Sequence, residues 1–291
     1  MSVRLSKIVV AGAAAALLCA GSVYVIASAA QDATPSTASS TNQGTASASV
    51  ESIVSVTLPV TDLDRSVKYY VNQLGFKVLK DGINDNGLSG RSVVLSTPWN
   101  RGGASVILTD APNLYKPGAL RGLFWEVTDC ASTVAALRLN GAEVGDCQDA
   151  PSGPLADLAD PDGNVWTLAT CAPEVQAVNG LATVSVSVSN QDASKDFYVN
   201  VLGFTVLKDR PNPGGFPGRY IELAPPGGGP TLVLSVWWDE MPVGASRVNL
   251  TTGDYRGFVA KLQASGVSTA DTASGGTFSD PDGNVWTVTQ G

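Results

Sequence analysis

SVTLPVTDLDRSVKYYVNQLGFKVLKD, residues 55–81, recurs without a gap as TVSVSVSNQDASKDFYVNVLGFTVLKD at residues 183–209. The two stretches are identical at 14 of 27 positions. A second stretch, DPDGNVWT, occurs at residues 160–167 and again at 280–287. Self-similarity of this length, twice and in the same order, indicates a duplicated structural unit.

The duplication predicts how the folded part of the chain is divided. A length of 291 residues with 44% hydrophobic residues suffices for two domains with their own cores. We therefore predict a first domain at residues 51–172, a linker at 173–179 and a second domain at 180–291.

Each copy is predicted to contain the order strand, helix and three strands twice. Apolar residues alternate with polar ones, as in a strand with one buried face, at Val56, Leu58 and Val60. Helical spacing follows at Val67, Tyr70, Val71 and Leu74. The same order restarts at Leu123. The sequence thus predicts an α+β fold with four βαβββ units.

The N-terminal segment differs in kind from the rest. Arg4 and Lys7 precede an apolar stretch from Ile8 to about Val25, which is typical of an export signal. Its length leaves two interpretations open for residues 1–30, a signal peptide or an uncleaved membrane anchor. Residues 31–50 are rich in Ser and Thr and are predicted to be a flexible linker. We expect a secreted or cell-surface protein, in contact with a membrane only through that first segment.

Composition excludes some classes of partner and site. Lys and Arg total 18 against 26 for Asp and Glu, without the basic stripe that nucleic acid requires. The chain contains no histidine, which removes the commonest general base near neutral pH and a frequent metal ligand. We therefore expect no nucleic-acid partner.

Three motifs, in order and in both copies, resemble the vicinal-oxygen-chelate superfamily, which includes glyoxalases, extradiol dioxygenases, and fosfomycin- and bleomycin-resistance proteins. In the first copy they are Val60-Thr61-Asp62, the helix end from Tyr70 to Phe76, and Asp160-Pro161-Asp162-Gly163-Asn164 before Val165-Trp166-Thr167. The resemblance implies two tandem domains, each with two βαβββ units in an open half-barrel sheet. The site would lie on the concave face and the helices on the convex face. Asp-Pro-Asp-Gly is also a hairpin turn sequence.

The resemblance also implies where a metal would be bound, because metal-using members of the superfamily take ligands from four strand positions. In this chain they are Ser55, Ile107, Gly122 and Thr167 in the first copy, and Thr183, Val233, Ala245 and Thr287 in the second. None supplies an imidazole, thiolate or carboxylate. We predict no metal and no cofactor.

The remaining concave positions predict a pocket of hydroxyl, amide and charged groups among apolar ones. Its predicted residues are Ser55, Thr57, Ile107, Phe124, Glu126, Thr167, Thr183, Ser185, Arg247, Asn249 and Thr287. Trp166 and Trp286 are expected in the core instead. Glu126 is the candidate for acid–base chemistry, and loops with Trp99, Arg101, Trp237 and Trp238 are expected to contact a ligand.

Cys130, Cys147 and Cys171 lie in the second half of the first copy, and an exported chain is expected to oxidise a pair. The family fold implies that Cys130 and Cys171 end neighbouring parallel strands, which favours that pair. Cys147 with Cys171 is the alternative.

Three functions are compatible with the sequence. The first is metal-free binding or sequestration of a small molecule. The second is a glyoxalase-like lyase or isomerase, or a dioxygenase, with an atypical all-oxygen metal site. The third is a non-catalytic protein-interaction module. Fold resemblance alone does not choose between them. The sequence fixes neither the ligand nor the choice between monomer and homodimer.

Overall fold

The computed structural model describes residues 48–83, 90–98, 103–111, 116–150, 153–170, 180–212, 216–236, 241–272 and 275–291. The predicted signal segment, most of the predicted linker at 31–50, Cys171 and the residues Trp99, Arg101, Trp237 and Trp238 lie outside these ranges. Among the described residues, no helix has both the length and the apolar character needed to cross a membrane.

Within these ranges, fifteen strands make up most of the fold. In the first copy they are β1 (Val50–Pro59), β2 (Lys77–Ile83), β3 (Arg91–Ser96), β4 (Ser105–Thr109), β5 (Leu123–Val127), β6 (Leu155–Ala159) and β7 (Val165–Thr170). In the second copy they are β8 (Leu181–Ser187), β9 (Thr205–Pro211), β10 (Arg219–Ala224), β11 (Thr231–Ser235), β12 (Arg247–Thr252), β13 (Thr269–Thr272), β14 (Gly275–Ser279) and β15 (Val285–Gln290).

The described part of the chain has four α-helices, one after the first strand of each unit. They are α1 (Leu63–Lys68), α2 (Cys130–Leu139), α3 (Gln191–Asp196) and α4 (Tyr255–Ala264). A π-helical turn extends α1 over Tyr69–Gln73 and α3 over Phe197–Val201. Each helix is preceded by an N-cap residue whose side chain accepts a hydrogen bond from a backbone N–H of the first turn. These residues are Asp62, Asp129, Asn190 and Asp254.

The strands form two open mixed sheets. Sheet A has the order β13-β14-β15-β12-β1-β4-β3-β2, and sheet B has the order β6-β7-β5-β8-β11-β10-β9. The α+β fold class with tandem repeats is confirmed.

The partners within each sheet differ from the expected ones, because each sheet combines one unit from each copy. In sheet A, β1 pairs antiparallel with β12 and Ser55 lies opposite Asn249. In sheet B, β5 pairs antiparallel with β8 and Phe124 lies opposite Thr183. The two copies are therefore joined through the backbone hydrogen bonds of two central strand pairs.

Within a copy, the units contact each other through the repeated Asp-Pro-Asp-Gly turn. Asp160 accepts hydrogen bonds from the backbone of its own turn and from the Tyr70 hydroxyl at 2.9 Å. Asp162 accepts from Thr61, Arg65 and Ser66 of the first unit. In the second copy Asp280 repeats the contacts of Asp160, and Asp282 accepts from Ser189 and Ser194 but has no counterpart of Arg65. The motif is the expected hairpin turn, and it also fixes the helix of the first unit of each copy to the second unit.

The main core lies between the helices and the sheets. As expected, Trp166 and Trp286 are fully buried there, and the Trp166 indole N–H donates to the Tyr70 hydroxyl at 3.0 Å. The face of each sheet that points away from this core and from the helices is called the inner face below.

The structure corrects the expected disulfide. Cys130 bonds to Cys147, with a Cα–Cα distance of 6.1 Å. Strands β5 and β7 are parallel neighbours as expected, but Cys130 is the first residue of α2 and points into the core rather than ending a strand. After α2 the chain returns along β6 through bridges at Val144 and Gln148, which brings Cys147 beside Cys130. Neither predicted pair, Cys130 with Cys171 or Cys147 with Cys171, is formed.

Candidate functional site

A row of side chains crosses the inner face of sheet B where strands from both copies meet. Strand pairing places Asp157 opposite Thr167, Thr167 beside Phe124, Phe124 opposite Thr183, and Thr183 beside Thr231. Residues opposite each other in neighbouring strands share a face. Three of the five, Phe124, Thr167 and Thr183, were predicted pocket residues, and the structure brings them together.

A buried ion pair lies at one end of this row. The Lys208 ammonium is 2.7 Å from Glu222 Oε2, and the Thr231 hydroxyl donates to Glu222 Oε1 at 2.9 Å. The hydroxyls of Thr231 and Thr183 are 2.8 Å apart. The side chains of Lys208 and Glu222 are only 11% and 3% exposed. Glu222 is therefore the centre of a polar network that reaches the middle of the sheet.

A second carboxyl lies at the other end of the row. The Thr167 hydroxyl donates to Asp157 Oδ1 at 2.6 Å. Burial raises the pKa of Asp157 to about 6, although the hydrogen bond from Thr167 lowers it. This carboxyl can consequently exchange a proton near neutral pH.

Two small apolar clusters, separate from the main core, lie beside these polar groups. Phe124 packs with Leu155. Tyr220 packs with Val233 and with the partly buried Phe216. The inner face of sheet B thus alternates apolar surface with hydrogen-bonding groups, a composition common in ligand sites.

The inner face of sheet A has different chemistry. The Asn249 amide donates to the Ser55 hydroxyl at 2.7 Å, and Asn249 lies beside Thr287. Val94 of β3 lies opposite Ile107 in sheet A. Glu222 occupies the corresponding place in sheet B, where it lies opposite Val233. The buried carboxylate of sheet B thus has an alkyl group as its counterpart in sheet A.

The other predicted pocket residues are also placed on the inner faces. Ser55, Thr57, Asn249 and Thr287 are buried in sheet A, where Ile107 and Arg247 are half-buried. Ser185 and Glu126 are buried in sheet B. Glu126 follows Phe124 by two residues on β5 and therefore shares its face. The structure thus places the predicted pocket residues on two inner faces, one in each sheet.

The positions that hold a metal in the superfamily do not fit one in this chain. Because each sheet contains strands of both copies, these positions form one set in each sheet. The set in sheet B is Thr183, Val233, Gly122 and Thr167, and the set in sheet A is Ser55, Ile107, Ala245 and Thr287. Neither set contains a nitrogen, thiolate or carboxylate donor, which transition-metal sites require. Across the described ranges, no group of three potential Cys, Asp or Glu ligands comes together.

Sequence reasoning omitted three important residues, Asp157, Lys208 and Thr231, and considered Glu222 only as a nearby carboxylate for an all-oxygen metal site. Two signals could have found some of them. Lys208 belongs to the repeated VLKD segment. Counting outward from the Asp-Pro-Asp-Gly turn places Asp157 opposite Thr167. The partners of Glu222 come from strands whose register the sequence does not reveal.

Comparison with known proteins identifies the family. The profile of the Glyoxalase/Bleomycin resistance protein/Dioxygenase superfamily matches residues 52–168 and 180–288. The chain therefore belongs to this superfamily.

A plant glyoxalase I agrees with this chain in fold, and a bacterial protein resembles part of its sequence. Glyoxalase I from Zea mays superposes with a TM-score of 0.64 at 18% identity, covering 82% of this chain and 92% of that chain. A glyoxalase/bleomycin resistance protein from Streptomyces sp. CB03234 is 31% identical, covers 41% of this chain and 100% of its own, and has a TM-score of 0.36. No curated protein matches this chain in sequence.

Proposed function

We propose that this chain is an exported protein that binds or sequesters a small molecule on the inner face of sheet B, without a metal ion. The observation that supports this proposal is the network of Lys208, Glu222, Thr231 and Thr183 on the inner face of sheet B. Removing both charges of an ion pair from water costs several kcal/mol per ion before their attraction is counted. Apolar residues at these positions would avoid this cost, as Val94 does at the matching position of sheet A. Retention of the charges favours a role in recognition.

The place of the ligand follows from the row of side chains. Phe124 offers apolar contact at the centre of the sheet, with hydroxyl and carboxyl groups on both sides. A ligand there would contact residues of both copies, so neither copy could bind it alone.

A thermal-shift screen against aromatic, antibiotic and metabolite libraries tests the proposal, because a ligand that binds only the folded state raises its melting temperature. The screen uses protein freed of metals with a chelator. We expect at least one compound to bind, and its affinity should fall about tenfold in Thr183→Val. This corresponds to a loss of about 1.4 kcal/mol of binding free energy, because the variant lacks the Thr183 hydroxyl. Ser55→Ala is the matched control at the corresponding position of sheet A. If no hit is obtained, or both variants bind every hit as the unmodified protein does, the inner face of sheet B is not the site.

One observation favours an enzyme as the second candidate. Asp157 has a pKa near 6 and lies on the inner face, so it could act as a general acid or base near neutral pH without an imidazole. A lyase or isomerase of the glyoxalase type would need such a group. Turnover of a bound ligand by metal-free protein, abolished in Asp157→Asn, would establish this function in place of simple binding.

Export is the remaining part of the proposal, and the sequence of residues 1–30 supports it. Fractionation of cells producing the full chain, with N-terminal sequencing of the product, distinguishes the alternatives. A soluble extracellular product beginning near residue 31 indicates cleavage, and a membrane-bound product that keeps Arg4 and Lys7 indicates an anchor. Full-length protein in the cytoplasm would contradict export.

A further inference from the structure

A cavity of about 500 Å³ lies beside the hairpin of β13 and β14 in the second copy. Its walls include Phe197 after α3, Val267 after α4, and Phe278, Pro281 and Val285 around the hairpin. Phe197 and Phe278 belong to the main core. The cavity therefore opens on the helix side of sheet A, away from the inner-face groups described above.

In the first copy a hydrogen bond spans the matching place. There Tyr69 donates its hydroxyl to the Ala159 carbonyl at 3.0 Å, which ties the π-helical turn to the hairpin. The repeat aligns Tyr69 with Phe197 and Ala159 with Ser279. Phe197 has no hydroxyl, so the second copy cannot form this bond, and both Phe197 and Ser279 line its cavity.

The charge of the cavity indicates a neutral ligand. Of its lining residues, all within the described ranges, only Asp280 is ionisable. Asp280 Oδ2 accepts from the Tyr198 hydroxyl at 2.6 Å and from the Asn284 amide at 2.8 Å. Its Oδ1 accepts the backbone N–H groups of Asp282 and Asn284. With both oxygens engaged inside the turn, the carboxyl is not available as the partner of a cationic ligand.

The remaining walls indicate an aromatic ligand. Aromatic rings attract other rings in edge-to-face or offset arrangements, and both Phe197 and Phe278 present rings here. Ser268, which carries a hydroxyl, belongs to the same lining, and the backbone of Thr277 and Ser279 borders it. The volume falls within the range of about 300–1,000 Å³ that is typical of small-molecule pockets.

We propose that this cavity is a second binding site, for a small neutral aromatic molecule with one or two hydrogen-bonding groups. It is independent of the inner face of sheet B, since it shares no residue with the row that crosses that sheet.

The probe 6-propionyl-2-(dimethylamino)naphthalene tests this proposal, because it is neutral and aromatic, carries one carbonyl, and emits at shorter wavelength in apolar surroundings. We expect saturable binding of one molecule per chain. Phe197→Tyr should weaken this binding about tenfold or more, because the new hydroxyl can donate to the Ser279 carbonyl, as Tyr69 donates to the Ala159 carbonyl in the first copy, and would then occupy the entrance of the cavity. Tyr69→Phe is the matched control and should leave the affinity of this site unchanged.

Val267→Trp is a second variant, which fills the cavity with a side chain and should also reduce probe binding. If it fails to fold, the Phe197→Tyr result decides alone. The absence of saturable binding overturns the proposal, and so does unchanged binding in correctly folded Phe197→Tyr. Loss of probe binding in Thr183→Val would place the probe on the inner face of sheet B and would also overturn it. Retention in that variant separates this site from the proposed function.

Discussion

Asp157 should make the stability of the fold depend on pH. Its pKa is about 6 in the folded chain against an ordinary value of 3.8. The folded state therefore binds the proton more tightly, so this contribution is complete below about pH 4 and is lost as pH rises through 6. A shift of about two units corresponds to about 3 kcal/mol.

The variant Asp157→Asn should lack this contribution, so its free energy of unfolding should fall less between pH 4 and 7 than that of the unmodified protein. Urea unfolding at several pH values measures the difference. Asp160 and Asp280, whose pKa values are also raised by burial, are present in both proteins and cancel in the comparison. Parallel pH profiles for the two proteins would refute the prediction.

Removing one charge of the Lys208–Glu222 ion pair should greatly lower the free energy of unfolding. Glu222→Gln leaves the Lys208 ammonium buried next to a neutral amide, and loss of one partner of a buried pair typically costs about 3–5 kcal/mol. The exposed pair Arg91–Asp64 provides the control, since Asp64→Asn should cost less than about 1 kcal/mol. Chemical denaturation of both variants checks the contrast, and equal losses would contradict burial of Glu222.

At the scale of single elements, the loop before β5 should tolerate no side chain at Gly118. This glycine has φ +79°, and a Cβ there would lie 1.8 Å from the Asp162 backbone oxygen in the Asp-Pro-Asp-Gly turn. Gly141 has a similar φ of +87° with open space around it. We expect Gly141→Ala to cost about 1–2 kcal/mol from backbone strain alone, and Gly118→Ala to cost clearly more. Thermal unfolding of both variants compares them, and equal costs would show that the turn moves freely.

The disulfide should stabilise the segment after α2. Cys130 and Cys147 are 17 residues apart, and closing a loop of about that size typically contributes about 3 kcal/mol. The double variant Cys130→Ala/Cys147→Ala should lose this amount in denaturant unfolding, and a thiol reductant should then have no further effect on that loop. A variant as stable as the oxidised protein would contradict the bond.

The elements themselves were predictable where the pattern is local. Alternation at Val56 and Leu58, helical spacing up to Gly75, and the Asp-Pro-Asp-Gly turns all reflect periods that a sequence displays directly. The disulfide was mispredicted because it depends on how the chain returns after α2, which no period encodes. The pairing of β1 with β12 depends on contacts nearly 200 residues apart and has no local signal.

For the whole molecule, the shared sheets predict that one copy does not fold alone as a monomer. A chain of residues 51–172 would expose the edges of β1 and β5 that pair with β12 and β8 in the full protein. We expect this fragment to be unfolded, or to dimerise by pairing those edges with a second fragment. Circular dichroism with light scattering after gel filtration measures both properties. A folded monomer would contradict the interlocked arrangement.

The cross-copy sheets also bear on how the two halves of the gene could diverge. Each sheet receives one unit from each repeat. A substitution in one unit therefore changes the inner face of one sheet and leaves the inner face of the other sheet unchanged. Duplicated sequences thus give rise to two different inner faces. Sheet B has Glu222 and Asp157, and sheet A has Val94 and Thr277 at the matching positions. A gene cut at its midpoint would encode half of each sheet, so neither product would contain a complete inner face.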